Sequence, residues 1–317
     1  MLNSPLKEQL ISLAREFGFT ECAFAGLDPV SQSAPLHPQA QTLSGDLRAL
    51  MSDARCVMLC AMPYQPFESQ GDNAQVDSYY ITSNRAHEAV KQLARRIEEA
   101  LSIRAMPSPP VFVKPLAVRS GLGEFGRNAL VSVGEHGTRV SLQVIALDVP
   151  IETNERTEKR FSTMCAHCNR CVNACPTHAL DGNGNIDLTR CLRAQPEGDI
   201  FPEELRTQLG ASILGCDVCQ RVCPRNARIP SVQPDADLSA ALDLSALLRG
   251  EYKPLVPYLG KNNARRQRLT ARALIAAANL NRRDLLPLIE ELTRCRESEM
   301  VRVHAEWAMK QLSSAEK

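Results

Sequence analysis

A run of four cysteines, Cys165-Ala-His-Cys168-Asn-Arg-Cys171-Val-Asn-Ala-Cys175-Pro176, constrains this chain more than any other stretch. Its spacing, C-x2-C-x2-C-x3-C-P, is the run that ligates [4Fe–4S] clusters in bacterial ferredoxins. Three thiolates so spaced fold round one cluster, while the fourth, before the proline, points to a second. Further thiolates for that second cluster lie downstream, in Cys191 and in Cys216-Asp-Val-Cys219-Gln-Arg-Val-Cys223-Pro224. Eight cysteines therefore fall between 165 and 223, the number that two cubane clusters need. The most economical allocation crosses over: Cys165, Cys168, Cys171 and Cys223 hold one cluster, Cys175, Cys191, Cys216 and Cys219 the other. Zinc also uses paired C-x2-C motifs, but it does not account for an x3-C-P ending that occurs twice. Disulfides fit worse still, because the N-terminus carries no secretory features.

Four cysteines stand outside this module: Cys22, Cys56, Cys60 and Cys295. Cys56 and Cys60 sit in an apolar run, Cys-Val-Met-Leu-Cys-Ala-Met, where cysteine behaves as a small core residue. At 317 residues the chain has room for two domains, or for one large domain with an appendage. A net charge of +1 points to no partner by itself. The first residues show no basic n-region, apolar h-region or twin arginine, and no run is long and apolar enough for a bilayer span. The expectation is a soluble, cytoplasmic monomer without membrane contact.

Along the chain, Ser4 caps a helix with Pro5 at its first position, and Gly18 stops it. A strand is expected over Thr20–Gly26 and another over Cys56–Met62, closed by Pro63-Tyr64-Gln65-Pro66. A helix over Ser83–Leu101 buries the stripe Ala86, Val90, Leu93, Ile97 and Leu101. The prolines at 107, 109 and 110 exclude a helix there; Val111–Val113 reads as a strand and Lys114–Ser120 as a short helix. Gly134–Thr138 reads as a hairpin turn, with Val140–Leu147 as the returning strand.

Gly121-Leu-Gly123-Glu-Phe-Gly126-Arg127-Asn128 matches G-x-G-x-x-G. Here a helix precedes and a strand follows, the reverse of the dinucleotide fingerprint. Three glycines in six residues mean either that the backbone approaches something closely or that the helix turns tightly into the strand. Beyond Pro230, helical pieces at Leu238–Leu248, 262–280, 284–295 and 299–312 follow the pattern of a HEAT-type repeat. Trp307 reads as a core anchor of the last helix. Lys253, Lys261, Arg265, Arg266, Arg268, Arg272, Arg282 and Arg283 face one acid, Glu251, in 251–283, a local basic patch suited to nucleic acid or simply to water.

Together these features resemble the epoxyqueuosine reductase family, cobalamin- and double-[4Fe–4S]-dependent enzymes of tRNA queuosine synthesis that are related to the reductive dehalogenase core. The resemblance spans nearly the whole chain. It rests on Asp53-Ala-Arg-Cys-Val, on Tyr80 seven residues before His87, and on Leu116-Ala-Val-Arg119-Ser-Gly-Leu-Gly123-Glu-Phe-Gly126-Arg-Asn128. It continues through Gly137-Thr138, the cysteine module, Pro202-Glu-Glu-Leu-Arg206 and the helical tail. The cysteine module is shared with many ferredoxins; its combination with the Gly121–Asn128 block is far more specific.

The resemblance implies an α+β fold in three parts: a mixed α/β cobalamin-binding layer at 1–160, a ferredoxin-like double [4Fe–4S] module at 161–230 and a HEAT-like all-α tail at 231–317. It implies two [4Fe–4S] clusters and cobalamin as cofactors, an external low-potential electron donor, and tRNA as a partner through the 253–283 region. It assigns Arg119, Gly121, Gly123, Arg127, Asn128, Gly137 and Thr138 to the corrin pocket. The activity implied is reduction of epoxyqueuosine to queuosine.

Two departures fall in the substrate layer. Pro107 stands where the family has an acidic proton donor, and Arg85-Ala86-His87 replaces D-Y-H. Loss of an epoxide oxygen as water calls for a general acid, and proline cannot serve; Glu124, Tyr80 and His87 are the substitutes within reach of the pattern. No catalytic residue is assigned. Two alternatives stay open: a corrinoid iron–sulfur reductase of another substrate, and a two-cluster electron carrier without a corrin. His167 and His178, among the cluster cysteines, either tune the clusters or are merely exposed.

Overall fold

The computed structural model describes residues 4–28, 47–69, 71–153, 155, 162–195 and 200–314. In chain order they form α1 (Ser4–Glu16), β1 (Glu21–Ala25), β2 (Cys56–Pro63), β3 (Gln75–Val76), α2 (Ser78–Leu101), β4 (Ala105–Pro107), α3 (Val113–Arg119), β5 (Glu124–Phe125) and β6 (Val131–Ser132). There follow β7 (Val140–Leu147), α4 (Arg170–Ala174), α5 (Glu203–Arg206), β8 (Ser212–Leu214), α6 (Val218–Arg221), α7 (Ala236–Ala241) and α8 (Leu244–Leu248). The chain ends with α9 (Val256–Asn263), α10 (Arg266–Asn279), α11 (Leu286–Leu292) and α12 (Glu299–Ser314). The class is α+β, and among the described residues no helix is long and apolar enough to cross a membrane.

Packing sorts these residues into two units: 1–65, 82–188 and 218–229 in the first, 66–81, 189–217 and 230–317 in the second. Neither unit is one continuous stretch of the chain. The cysteine module is accordingly divided, with Cys191 and Cys216 in the second unit and the other six in the first.

The first unit is built on an antiparallel sheet of order β1-β2-β7-β4. Its central strand β2 is apolar at every position because both faces are covered. Cys56, Met58, Cys60 and Met62 face the core shared with α1 and α2, while Val57, Leu59 and Ala61 face that of α3. This is the period of two expected of a strand. The α2 stripe Ala86, Val90, Leu93 and Ile97 is fully buried, as its helical spacing requires. Gly18, at φ 86°, ends α1 in the left-handed conformation that a helix C-terminus favours.

Three local expectations change here. The third sheet strand is Ala105–Pro107, not Val111–Val113. Ser108 still donates to Val144 O at 2.8 Å, but Pro109 and Pro110 have no N–H to continue the ladder. Helix α2 starts at Ser78 rather than Ser83 because Asp77 caps it, accepting from Tyr79 N at 3.0 Å. Gly134–His136 is a 3-10 turn rather than a hairpin tip, since β6 pairs with β5 and not with β7. The glycine block leads α3 into that β5–β6 hairpin, and a Cβ on Gly123 would lie 2.5 Å from Ser132 O. The close approach expected of these glycines is thus to their own chain.

The second unit holds a parallel pair, β3 and β8, and the helical tail. The helical pieces expected over Leu238–Leu248 are the two helices α7 and α8, because Asp243 accepts from Ala246 N at 2.8 Å and starts α8 anew. Gly260, at φ 74°, kinks α9 and separates it from α10, so the piece expected at 262–280 begins at Arg266. In the HEAT-like tail, α12 packs on both α10 and α11, and Trp307 is buried between them and α5, the anchor that its place in the last helix suggests.

Candidate functional site

Helix α4 packs on α6 within the first unit and carries Cys171 in its first turn. Cys165 ends a 3-10 turn, and Cys223 extends into the turn Pro224–Asn226. These short elements bring Cys165, Cys168, Cys171 and Cys223 to one pocket, the four residues that the cysteine spacing assigns to one cluster. Burial pushes the Cys171 thiol up, and the neighbouring Cys223 and Cys165 add to it. Burial does the same at Cys223, reinforced by Cys165 and Cys168 against two backbone hydrogen bonds. Four sulfur donors gathered at one pocket suit a cation, and soft thiolate ligands suit iron.

The loops carrying these cysteines are held by named side chains. The Arg127 guanidinium donates to Asn169 Oδ1, and to Ala166 O at 3.0 Å, clamping the loop between Cys165 and Cys171. Thr138 N donates to Asn226 Oδ1 at 2.9 Å, and Asn226 Nδ2 returns a bond to Thr138 Oγ1 at 2.9 Å. Arg225 donates to Ser162 Oγ at 2.7 Å and lies 3.7 Å from the Glu124 carboxylate. Sequence reasoning misses Gln220, Asn226 and Arg225. Their only signal is their position between or beside cysteines, where any polar residue looks like loop filler.

Seven residues were expected at a corrin, and they divide. Arg127, Asn128 and Thr138 line the pocket with the four cysteines; Arg119, Gly121, Gly123 and Gly137 do not. Arg119 donates to Gly26 O at 2.7 Å and to Asp28 O at 2.6 Å, and so ties the chain after β1. Gly137 packs on the Arg225–Asn226 backbone and side chain. Asn128 and Ser132, both buried on the pocket wall, leave Nδ2 and Oγ without a hydrogen-bond partner. Buried orphan polar atoms are rare and costly. Placed beside a four-thiol site they fit a polar, hydrogen-bonding group such as a corrin amide next to a cluster.

The candidate proton donors gain no support. Glu124 is paired with Arg225. Tyr80 is half-buried in the second unit, where desolvation raises its pKa and Arg193 opposes the rise. His87 is exposed on α2, and His167 and His178 are exposed as well. The basic stretch is also thinner than its composition suggests. Arg268 and Arg272 are buried, Arg272 stacks 3.7 Å from the Phe201 ring centroid, and Arg282 is paired with Asp284 at 2.7 Å. Lys253, Lys261, Arg265 and Arg266 face solvent.

Residues 164–226 match the family model of the 4Fe-4S double cluster binding domain. The chain is 30% identical over 237 residues to the epoxyqueuosine reductase of Lactococcus garvieae, covering 71% of this chain and 66% of that relative. With the epoxyqueuosine reductase of Bacillus subtilis it shares 24% identity over 340 residues, covering 96% of this chain and 87% of the relative. The fold matches the solved Bacillus subtilis epoxyqueuosine reductase with a TM-score of 0.79 at 22% identity, over 97% of this chain and 90% of that one. An epoxyqueuosine reductase crystallised with an epoxyqueuosine-modified tRNA stem loop matches with a TM-score of 0.78 at 22% identity, over the same shares of the two chains.

Proposed function

We propose that this chain, which belongs to the epoxyqueuosine reductase family, is an oxidoreductase that passes electrons through two [4Fe–4S] clusters to cobalamin and reduces epoxyqueuosine in tRNA to queuosine. The observation that carries the reading is the single pocket in which Cys165, Cys168, Cys171 and Cys223 meet the unpartnered Asn128 Nδ2 and Ser132 Oγ. One cluster takes those four thiolates, and the second takes the set that the spacing allots to it, Cys175, Cys191, Cys216 and Cys219. Bound there, cobalamin supplies a strongly reducing metal centre and the clusters supply low-potential electrons from an external donor. Asn128 and Ser132 hold the cofactor's polar periphery, Arg127 and Thr138 fix the cysteine loops that form the pocket wall, and the tRNA backbone meets the exposed Lys253, Lys261, Arg265 and Arg266.

A second reading, a corrinoid reductase of another substrate, is favoured by one observation. The Bacillus subtilis structure is described by an aspartate catalytic loop, whereas Pro107 ends the edge strand β4 here, at the position where the resemblance places the family's acidic residue.

Anaerobic titration of the reconstituted protein with cob(II)alamin, followed by ultraviolet–visible and EPR spectroscopy, tests the core of the proposal. Binding with a base-off Co(II) signal, beside about eight irons per chain as two cubanes require, is the expected result. Turnover of a tRNA stem loop carrying epoxyqueuosine then separates the two readings. Intact clusters without any cobalamin binding would overturn both.

A further inference from the structure

Two cysteines outside the cluster module lie opposite each other in the first unit. Cys22 on the edge strand β1 and Cys60 on β2 are direct partners in the antiparallel register. Both side chains belong to the sheet face covered by α1 and α2. Opposed residues of an antiparallel pair have Cα atoms about 4.5 to 5.5 Å apart. That lies inside the roughly 4.4 to 6.8 Å span that a disulfide accepts. Access is unequal: Cys60 is 0% exposed, whereas Cys22 is partly open to solvent. Neither thiol has a part in the cluster site.

We propose that Cys22 and Cys60 form an oxidisable dithiol that closes to a cross-strand disulfide when a hydroperoxide reaches the sheet edge. The Cys22 thiolate attacks one peroxide oxygen, the O–O bond breaks, and the departing hydroxide takes up a proton to leave as water. Cys22 is then a sulfenic acid. The Cys60 sulfur attacks the Cys22 sulfur, the S–O bond breaks and a second water departs with the Cys60 proton. Two thiols and one hydrogen peroxide thus give one disulfide and two waters, the two electrons coming from the thiols. The roles follow from the surroundings. Its contact with Cys22 and its burial hold the Cys60 thiol protonated, well above the usual range, so Cys22, partly open to solvent, attacks and Cys60 resolves.

The remaining two free cysteines lack this arrangement. Cys56 faces Leu147 across the sheet, donates its thiol to Val149 O at 3.2 Å, and is pushed up to about 12 by burial. Cys295 is half-buried in the second unit and serves as an internal control.

The test uses the full chain with its clusters. Hydrogen peroxide is added stepwise without oxygen, free thiols are blocked with iodoacetamide, and the non-reduced digest is mapped by mass spectrometry. A linked peptide pair carrying Cys22 and Cys60, lighter by two hydrogens and cleaved by dithiothreitol, is expected before Cys295 is modified. In C22S the pair should be absent and Cys60 should stay alkylatable once unfolded, and the rise in melting temperature expected on oxidising the unmutated protein should be lost. Oxidation of Cys22 to the sulfinic acid with Cys60 still a free thiol would overturn the proposal, and so would modification of Cys295 ahead of any linked pair. The peptide map of the unmutated protein decides by itself, whether or not C22S folds.

Discussion

Gln220, the residue after Cys219, donates its side-chain amide to the backbone carbonyl of Thr138 at 2.7 Å. Both residues are buried. The Tyr64 hydroxyl donates to Gln220 Oε1 at 3.2 Å, and Asn226 Nδ2 donates to Gln220 O at 2.8 Å. The segment running from Cys219 to Cys223 is thereby fastened to the turn that follows β6. Each contact satisfies a polar group that has no water to turn to.

Replacing Gln220 by alanine removes the Gln220 amide from the Thr138 carbonyl and the Gln220 Oε1 from the Tyr64 hydroxyl. The expected cost is about 1–3 kcal/mol, felt at the loop that presents Cys223. Iron per chain and the melting temperature should both fall in Q220A. Unchanged iron retention on gel filtration would mean that the loop needs no such fastening.

Two glycines a few residues apart should respond very differently to alanine. At Gly137, φ 52°, a Cβ would collide with Asn226 Oδ1 and come within 2.7 Å of Arg225 O; at Gly134, φ 45°, nothing lies within 4 Å. G134A meets only the left-handed backbone cost of about 1 kcal/mol. G137A must also displace the turn after Cys223, so it should lose iron or fail to accumulate. Equal thermal stability of the two variants would contradict this packing.

Ser132 Oγ is buried without a partner, so S132A should leave the cobalamin-free protein as stable as before, or slightly more so. Cobalamin affinity should fall about tenfold, the equivalent of one hydrogen bond of roughly 1.4 kcal/mol. Calorimetric titration and a melting curve read the two effects separately. A loss of stability with unchanged affinity would mark the serine as structural.

His304 is buried and held neutral. Its Nδ1 lies 2.6 Å from Met300 O, and Phe201 N donates to Nε2 at 3.2 Å. Burial, aided by the Arg206 and Arg272 cations, pushes its pKa down to about 4. The unfolded chain takes up a proton below its ordinary value of about 6.5, whereas the folded one does so only below about 4. The stability is therefore complete above 6.5 and is lost as the pH falls through that window, by about 3 kcal/mol in all. Urea midpoints between pH 4.5 and 7 should show this slope, and H304Q should flatten it relative to the unmutated protein.

The basic stretch of the tail has two populations. K253A/K261A should keep its fold, bind a tRNA stem loop more weakly and lower the salt slope of binding by roughly 1–2. R272A should instead unfold at lower temperature, because Arg272 lies buried over Phe201. Weakened RNA binding in R272A at unchanged stability would reverse that assignment.

The sequence by itself determined what is written in local spacing. The cysteine intervals alone group Cys165, Cys168, Cys171 and Cys223, and the fold brings the same four to one pocket. The apolar run at Cys56 and the stripe from Ala86 to Ile97 locate the central strand and its covering helix, because strand and helix periods are properties of consecutive residues. Tertiary structure alone decided what lies across from each residue. It made Ser132 O the reason for Gly123, gave β6 to β5 rather than to β7, and turned Arg268 and Arg272 from surface charges into buried ones. It also revealed Gln220 and Asn226 as the fastening of a cysteine loop, and Cys22 as the partner of Cys60. Those relations join residues from 6 to 88 positions apart, and such contacts depend on how the elements pack, which no local period records.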